Sequence, residues 1–237
     1  MNDDLVPTGL QNAFSGTRVQ RLREWLVVTF PEPQQTLSWA VVGSGKNSAQ
    51  RVVWRQVVDG ELNCPVDPAD FLVEQLKKEN LTDAIGLLTS ARLDNYVHVK
   101  KEFGQYRADC IATVGMGNAL CVGDFPTAPN HVGTINLLCQ LSVPLSDGAF
   151  IEAVSVATEA RTKAVLESNI LSRRSTHLAT GTGTDCIVIA SPSGESESKY
   201  SGKHTIIGHL IGNSVYEAVK SGLSRWKNKQ KDHQHAG

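Results

Sequence analysis

The hydrophobic pattern changes period in the middle of the chain, and that change restricts the folds open to it. Up to about residue 143, apolar residues come in short β-rich runs broken by glycine and proline. From Ser146 a proline-free stretch repeats at helical spacing. Residues 25–30 form one β-rich run, stopped by Pro31-Glu32-Pro33; residues 36–42 and 51–58 form two more, separated by Gly43-Ser44-Gly45-Lys46-Asn47-Ser48. Pro65 and Pro68 open a helix over 69–80 with Phe71, Leu72 and Leu76 on its inner face. Residues 84–89 predict a buried strand. Residues 96–100 and 109–114 predict two more, with Gly104 in the turn between them, and 132–143 another.

The second half has a different character. Residues 146–168 predict a helix capped by Ser146 or Asp147, with Glu152 near its start. Phe150, Ala153, Val154, Ala157, Ala160, Ala164 and Val165 fall on one side and Glu152, Ser155, Glu159 and Thr162 on the other. Arg161 projects within the apolar arc, as an arginine does when its stem packs and its head reaches water or a carboxylate. A strand over 186–190 follows, then a last helix near 203–221, in which Gly208 and Gly212 leave one flank open to close backbone approach. Hairpins first and helices later predict an α+β fold: a single domain with a mixed or largely antiparallel β-sheet packed with about three main helices. The expected organisation is a polar N-terminal segment over 1–22, the domain over 23–222, and a mobile charged tail over 223–237.

Composition narrows the function classes. The 237 residues carry 23 Lys+Arg against 24 Asp+Glu, without the basic excess of a phosphate-tracking nucleic-acid protein. No run of 18 apolar residues predicts a membrane span, and no signal-like segment follows Met1-Asn2-Asp3-Asp4, so a cytoplasmic location is expected. Cys64, Cys110, Cys121, Cys139 and Cys186 are widely spaced, with no CxxC pair to suit structural zinc. Core thiols are the simpler reading.

Some motifs fail on spacing. The 43–48 turn lacks the first glycine of a phosphate loop, where Ala40 stands, and has Asn47 in place of the magnesium-holding Ser or Thr. A strand turn accounts for it. His98 and His131 fit structural histidines, His233 and His235 a solvated tail, and His177 stands before a Gly/Thr run. His204 is placed differently. At the start of the last helix, free N–H groups and the helix dipole favour a neutral imidazole able to accept a proton. Helical geometry from that position turns it toward Leu210 and Ile211, hence toward the protein body, though a capping histidine satisfies the same pattern. The run Thr180-Gly181-Thr182-Gly183-Thr184 before Asp185 could converge backbone N–H groups on an oxyanion, or simply make a tight loop.

Taken in order, these segments resemble the adenosylcobinamide amidohydrolases, the CbiZ family. The residues carrying the likeness are Leu37 to Val42, Gly86 to Ala91, Val114-Gly115-Met116-Gly117-Asn118-Ala119, Gly133-Thr134-Ile135-Asn136, Pro144 to Ala149, Ala157 to Ala164, Thr180 to Asp185, and Gly202-Lys203-His204-Thr205 with the helix to Val219. The resemblance implies hydrolysis of the amide joining aminopropanol to a corrin propionate. The products would be adenosylcobyric acid and 1-amino-2-propanol, in corrinoid salvage for coenzyme B12. It implies no added cofactor, the corrinoid bringing its own cobalt as substrate. It implies a link to a corrinoid uptake transporter and leaves room for a homo-oligomer, with no metal site, nucleic acid or membrane insertion.

On that basis His204 would carry protons, oriented by Asp185, with Glu159 the alternative acid/base. The 182–184 backbone would hold the oxyanion, and water or the Thr184 hydroxyl would attack. Thr182, Gly183, Asn118, Asn136 and Asp147 are the expected substrate contacts, Asn118 and Asn136 also fitting strand-end caps. The resemblance leads one to expect an acidic residue where His209 stands, and it does not call for Arg173-Arg174 in the loop before the Gly/Thr run. A corrinoid-binding protein without turnover, an amidase for another amide, and a metal-dependent hydrolase are the other readings. His204 and His209 do not share a helical face, which disfavours the last.

Overall fold

The structure is a computed structural model and describes residues 16–58, 61–62, 66–126, 133–195 and 198–235. Cys64 and His131 lie outside the described residues, as do the side chains of His233 and His235. The strands are β1 (Arg18–Leu22), β2 (Trp25–Ser38), β3 (Gly45–Gln56), β4 (Ala84–Thr89), β5 (Val97–Phe103), β6 (Tyr106–Val114), β7 (Ala119–Leu120), β8 (Ile135–Leu141), β9 (Gly181–Thr182) and β10 (Cys186–Ser191). The helices are α1 (Pro68–Lys78), α2 (Asp147–Glu167) and α3 (Ile206–His235). A mixed sheet runs β4-β3-β2-β10-β8-β6-β5, with β1 added beside β2. Only β3–β4 and β8–β10 are parallel among its pairings. The expected α+β class is what the chain adopts.

Pro31 and Pro33 bend a strand here and do not end it. β2 passes through them as one 14-residue element, and its register against β3 shifts between Thr29 and Gln34. A residue without an N–H is tolerated at such an irregularity because no ladder bond is lost there. Residues 25–29 pair with 51–55 and residues 34–38 with 45–49, so one hairpin serves both halves of the sheet. The sheet folds over its own face. Leu26, Val28, Val52, Trp54, Ile85 and Leu87 from one half meet Ile111, Leu138, Val188 and Ala190 from the other in a single core. The opposite face of β6, β8 and β10 packs on α2 and α3 through Cys110, Leu137, Cys139, Ile187 and Ile189. Trp25, Val27 and Val53 pack on Leu72 and Leu76 of α1.

Local signals explain the helices. Asp67 caps α1 by accepting from the N–H groups of Ala69 and Asp70. Ser146, not Asp147, caps α2, and its alanines bury against the sheet and α3. The turn at 43–45 joins β2 to β3 with Gly43 and Gly45 at positive φ, the strand turn expected there.

Two boundaries differ from the sequence reading. Residues 18–22 of the polar N-terminal segment form β1, because the edge of β2 offers unpaired backbone groups to any chain lying beside it. α3 begins at Ile206, later than expected, and continues to His235. Leu223 and Trp226 extend the buried series from Val219, while Arg225 donates to the carbonyls of Asn95 and Tyr96. Lys227 likewise donates to the Ser168 carbonyl, so charged residues of this segment tie the helix to its neighbours.

Four described cysteines are free, with Cys110, Cys139 and Cys186 buried. Burial pushes the Cys139 thiol up to about 12 and the Cys186 thiol up to about 11. A thiolate is therefore scarce at pH 8. In a native titration with a thiol-specific disulfide reagent at pH 8, Cys110, Cys139 and Cys186 should stay unreacted until denaturant is added. Fast labelling of any of the three in the folded protein would contradict this packing.

Candidate active site

Three turns converge at one edge of the sheet. β6 leads out through Gly115-Met116-Gly117-Asn118, while Gly133-Thr134 leads into β8 and residues 180–185 lead into β10. Because β6 and β8 are antiparallel and β8 and β10 parallel, these three strand ends lie side by side. Close packing joins them. A Cβ built on Gly133 would stand 2.5 Å from the Gly117 nitrogen and 2.7 Å from that of Asn118. β7 and β9 pair as a second, two-stranded sheet over this edge.

Asp185 is the hub. Its Oδ1 accepts from Ile135 N–H at 2.9 Å and from the Thr182 hydroxyl. Its Oδ2 accepts from Thr182 N–H at 3.0 Å and from Arg161 Nη1 of α2. The side chains of Arg161 and Asp185 are 12% and 6% exposed, so the ion pair is almost dry. Four donors occupy the four lone-pair sites of the carboxylate. The indole of Trp39 donates to the Asp185 carbonyl at 2.5 Å.

This arrangement changes several expected roles. Asp185 has no acceptor site left to orient a histidine. Thr182 N–H is engaged by Asp185, and Gly183 N–H donates to the Asn118 carbonyl at 3.3 Å, so neither is free to hold an oxyanion. Asn136 is buried in β8, with its Nδ2 donating to the Leu88 carbonyl at 2.6 Å and its Oδ1 facing the Thr134 hydroxyl at 3.1 Å. It ties β4 to β8 and has no reach to a ligand. Thr134, whose hydroxyl also lies 2.8 Å from the Thr184 carbonyl, links the two loops.

The outward-facing members are Gly183, Thr184 and the half-buried Asn118, whose amide makes no bond among the described residues. Thr184 Oγ1 lies 3.3 Å from the Gly133 carbonyl. Trp39 (43% exposed) stands beside the loop through its bond to Asp185, and Val122 and Phe125 are exposed in the turn after β7, which lies against Thr180. That turn is held by Val122 N–H donating to Thr180 Oγ1 at 2.8 Å.

His204 and Glu159 lie elsewhere. His204 is exposed in the turn before α3 and makes no hydrogen bond or ion pair among the described residues. The expectation that it faces the protein body fails because helical geometry begins only at Ile206, with Thr205 accepting from Gly208 N–H as the cap. Its neighbour Lys203 pairs with Glu159 at 2.7 Å. On α2, Glu159 points about 200° away from Arg161, so these groups border the opposite flank of the helix from Asp185. Asp147 is exposed in the first turn of α2 and pairs with Lys46. Among the described residues no three His, Cys, Asp or Glu side chains gather closely enough to hold a metal ion.

Sequence reasoning marked Arg161 as odd but could not name its partner, and it passed over Trp39 and Thr134 as site members. Arginine on an apolar helix arc was the available signal.

The glycines make this arrangement testable. A Cβ on Gly181 would stand 2.3 Å from Arg161 Nη1 and 2.4 Å from Asp185 Oδ2, within the buried pair. On Gly183 it would meet the Asn118 amide end at 2.8 Å, a side chain able to swing away. Gly181→Ala should therefore destabilise by about 1–3 kcal/mol in urea unfolding, and Gly183→Ala by clearly less. Equal losses would mean that the pair is not the tight point.

Comparison with known proteins fits this picture. The profile of the CbiZ family, adenosylcobinamide amidohydrolase, matches residues 10–231. An uncharacterised protein of Methanocaldococcus jannaschii is 34% identical over 168 residues, covering 62% of this chain and 64% of that one. Adenosylcobinamide amidohydrolases of Methanosarcina mazei and Halobacterium salinarum are 29% and 31% identical, over 67% and 47% of this chain and 76% and 48% of theirs. The chain thus spans less than two thirds of the M. jannaschii relative. A β-aminopeptidase from a Burkholderia species and a Pyrococcus horikoshii protein overlap the fold loosely, each with TM-score 0.42, at 9% and 10% identity. They cover 89% and 85% of this chain and 82% and 76% of their own. With the family profile spanning nearly its whole length, the chain belongs to the adenosylcobinamide amidohydrolases.

Proposed function

We propose that this protein cleaves the aminopropanol amide of adenosylcobinamide, giving adenosylcobyric acid and 1-amino-2-propanol for corrinoid salvage. The observation that carries the reading is the meeting of three family segments, Gly115 to Asn118, Gly133 to Asn136 and Thr180 to Asp185, at one rigid edge. Amide hydrolysis needs a nucleophile, donors for the carbonyl oxygen and a proton for the leaving amine. At this edge the Thr184 hydroxyl, or a water beside it, is the nucleophile. The proton it loses is relayed through solvent to the leaving aminopropanol nitrogen as the C–N bond breaks. An ester formed on Thr184 is released by a second water. The free Asn118 amide supplies a donor to the carbonyl oxygen. Trp39, Val122 and Phe125 offer apolar surface to the methyl-studded corrin ring, whose uncharged amides need hydrogen bonds more than a strong field. The corrinoid enters as substrate with its own cobalt. Supply through an uptake transporter, a cytoplasmic setting and a possible homo-oligomer belong to the same proposal.

A second reading puts the chemistry on the outer flank of α2. It is favoured by His204, an exposed imidazole without a partner among the described residues, beside the Lys203–Glu159 pair. That flank also carries a shallow groove of about 540 Å³ lined by Glu159 and Thr162.

Incubation with adenosylcobinamide should release 1-amino-2-propanol. Thr184→Ala should lower kcat by about 100-fold or more, with an unchanged unfolding midpoint, while His204→Ala stays near wild type. The reverse pattern would move the site to the outer flank. Tight corrinoid binding without aminopropanol release would replace the enzyme by a binding protein. Turnover of simple propionamides that corrinoid does not inhibit would replace the substrate.

A further inference from the structure

We propose that Arg161 is a positioning residue for the amide hydrolysis, fixing the 180–185 loop through Asp185; this rests on the loop-edge reading above. The guanidinium lies between an alanine-rich helix face and the loop, where its only bonded partner among the described residues is the Asp185 carboxylate. Its Nε is buried without a partner among the described residues. Two charges held out of water with one N–H unsatisfied are a poor source of stability, since well-packed apolar side chains often do as well or better. What the pair does supply is register. The same carboxylate grips Thr182 by both backbone and side chain and grips Ile135 at the start of β8, so its position sets that of Gly183 and Thr184 relative to the strand ends.

The surroundings make this position narrow. Gly181 leaves no room above the pair for a methyl group. The Asp185 carbonyl is held from the other side by Trp39. Arginine is suited to the task because its charge is permanent and its donors lie in a fixed plane, whereas lysine offers a point charge on a flexible stem. Arg161 does not reach the exposed edge where substrate would bind. It acts on Thr184 through Asp185.

Loss of this anchor should therefore lower kcat and leave binding nearly intact. Arg161→Ala is expected to reduce kcat on adenosylcobinamide about 100-fold, the effect of a displacement near 1 Å at the reacting groups, with KM changed less than about threefold. Millimolar guanidinium, far below denaturing levels, should restore part of the lost kcat by filling the vacated site, and Arg161→Lys should restore less than the added guanidinium does. Amide hydrogen exchange should show loss of protection at Thr182 and Ile135 in Arg161→Ala, reversed by guanidinium. The apolar pair Arg161→Met with Asp185→Leu keeps the question open to test if the single variant unfolds, and it should fold yet remain slow. Wild-type kcat in Arg161→Ala, a loss confined to KM, or a loss that guanidinium does not touch would overturn the proposal. If wild-type protein turns over no corrinoid, the proposed activity falls, while the exchange measurement still decides whether Arg161 holds the loop.

Discussion

The bend in β2 is the constraint on which the rest of the structure depends. A flat sheet of this size would have one face for α2 and α3 and would leave the other to solvent or to α1 alone. By passing through Pro31 and Pro33 with a register shift, β2 lets the sheet close over its own second face. Residues at both phases of β8, of β10 and of β6 from Ala108 onward are then buried, and β8 and β10 read as mostly apolar runs. The parallel pair β8–β10 lies in the middle of this arrangement, where no solvent-facing side is required.

Burial of both faces also determines where polar chemistry can sit. Side chains along the strands are committed to cores, so functional groups are displaced to the strand ends. There the backbone must turn, and glycines at 115, 117, 133, 181 and 183 allow three turns to lie in near contact. Asp185 fills the gap between them with donors from three separate parts of the chain. Its carboxylate is used as a joint, and the reactive surface is what that joint leaves facing outward.

Much of this was legible in the sequence because local physics dictates it. The strand at Ala84–Thr89, the Ser146 cap and α2, and the glycine turn after β2 each follow from a few adjacent residues. The Gly/Thr run and Asp185 stood out for the same reason. What escaped were features decided at long range. Prolines read as strand breakers until a partner strand showed a bulge. β1 has a polar sequence and is made a strand by the edge it joins. Asp185 could not be given its partners, since Trp39, Ile135 and Arg161 are brought to it by sheet order and helix packing. His204 was misdirected by a three-residue error in a helix start, enough to turn a side chain to another side.

α3 has a consequence for how this fold can vary. Lys227, beyond the point where the apolar pattern seemed to stop, donates to the carbonyl of Ser168 at the end of α2, and Arg225 secures the turn after β4. Trp226 lines a cleft with Ser90, Ala91, Gly115 and Gly117, the last two in one of the three converging turns. The last turns of α3 therefore stand against one of the three converging turns that build the loop edge. Descendants of this sequence could change the charges on the outer face of α3 freely, but shortening the helix to Ser221 would unbuckle α2, the β4 turn and the reactive edge together.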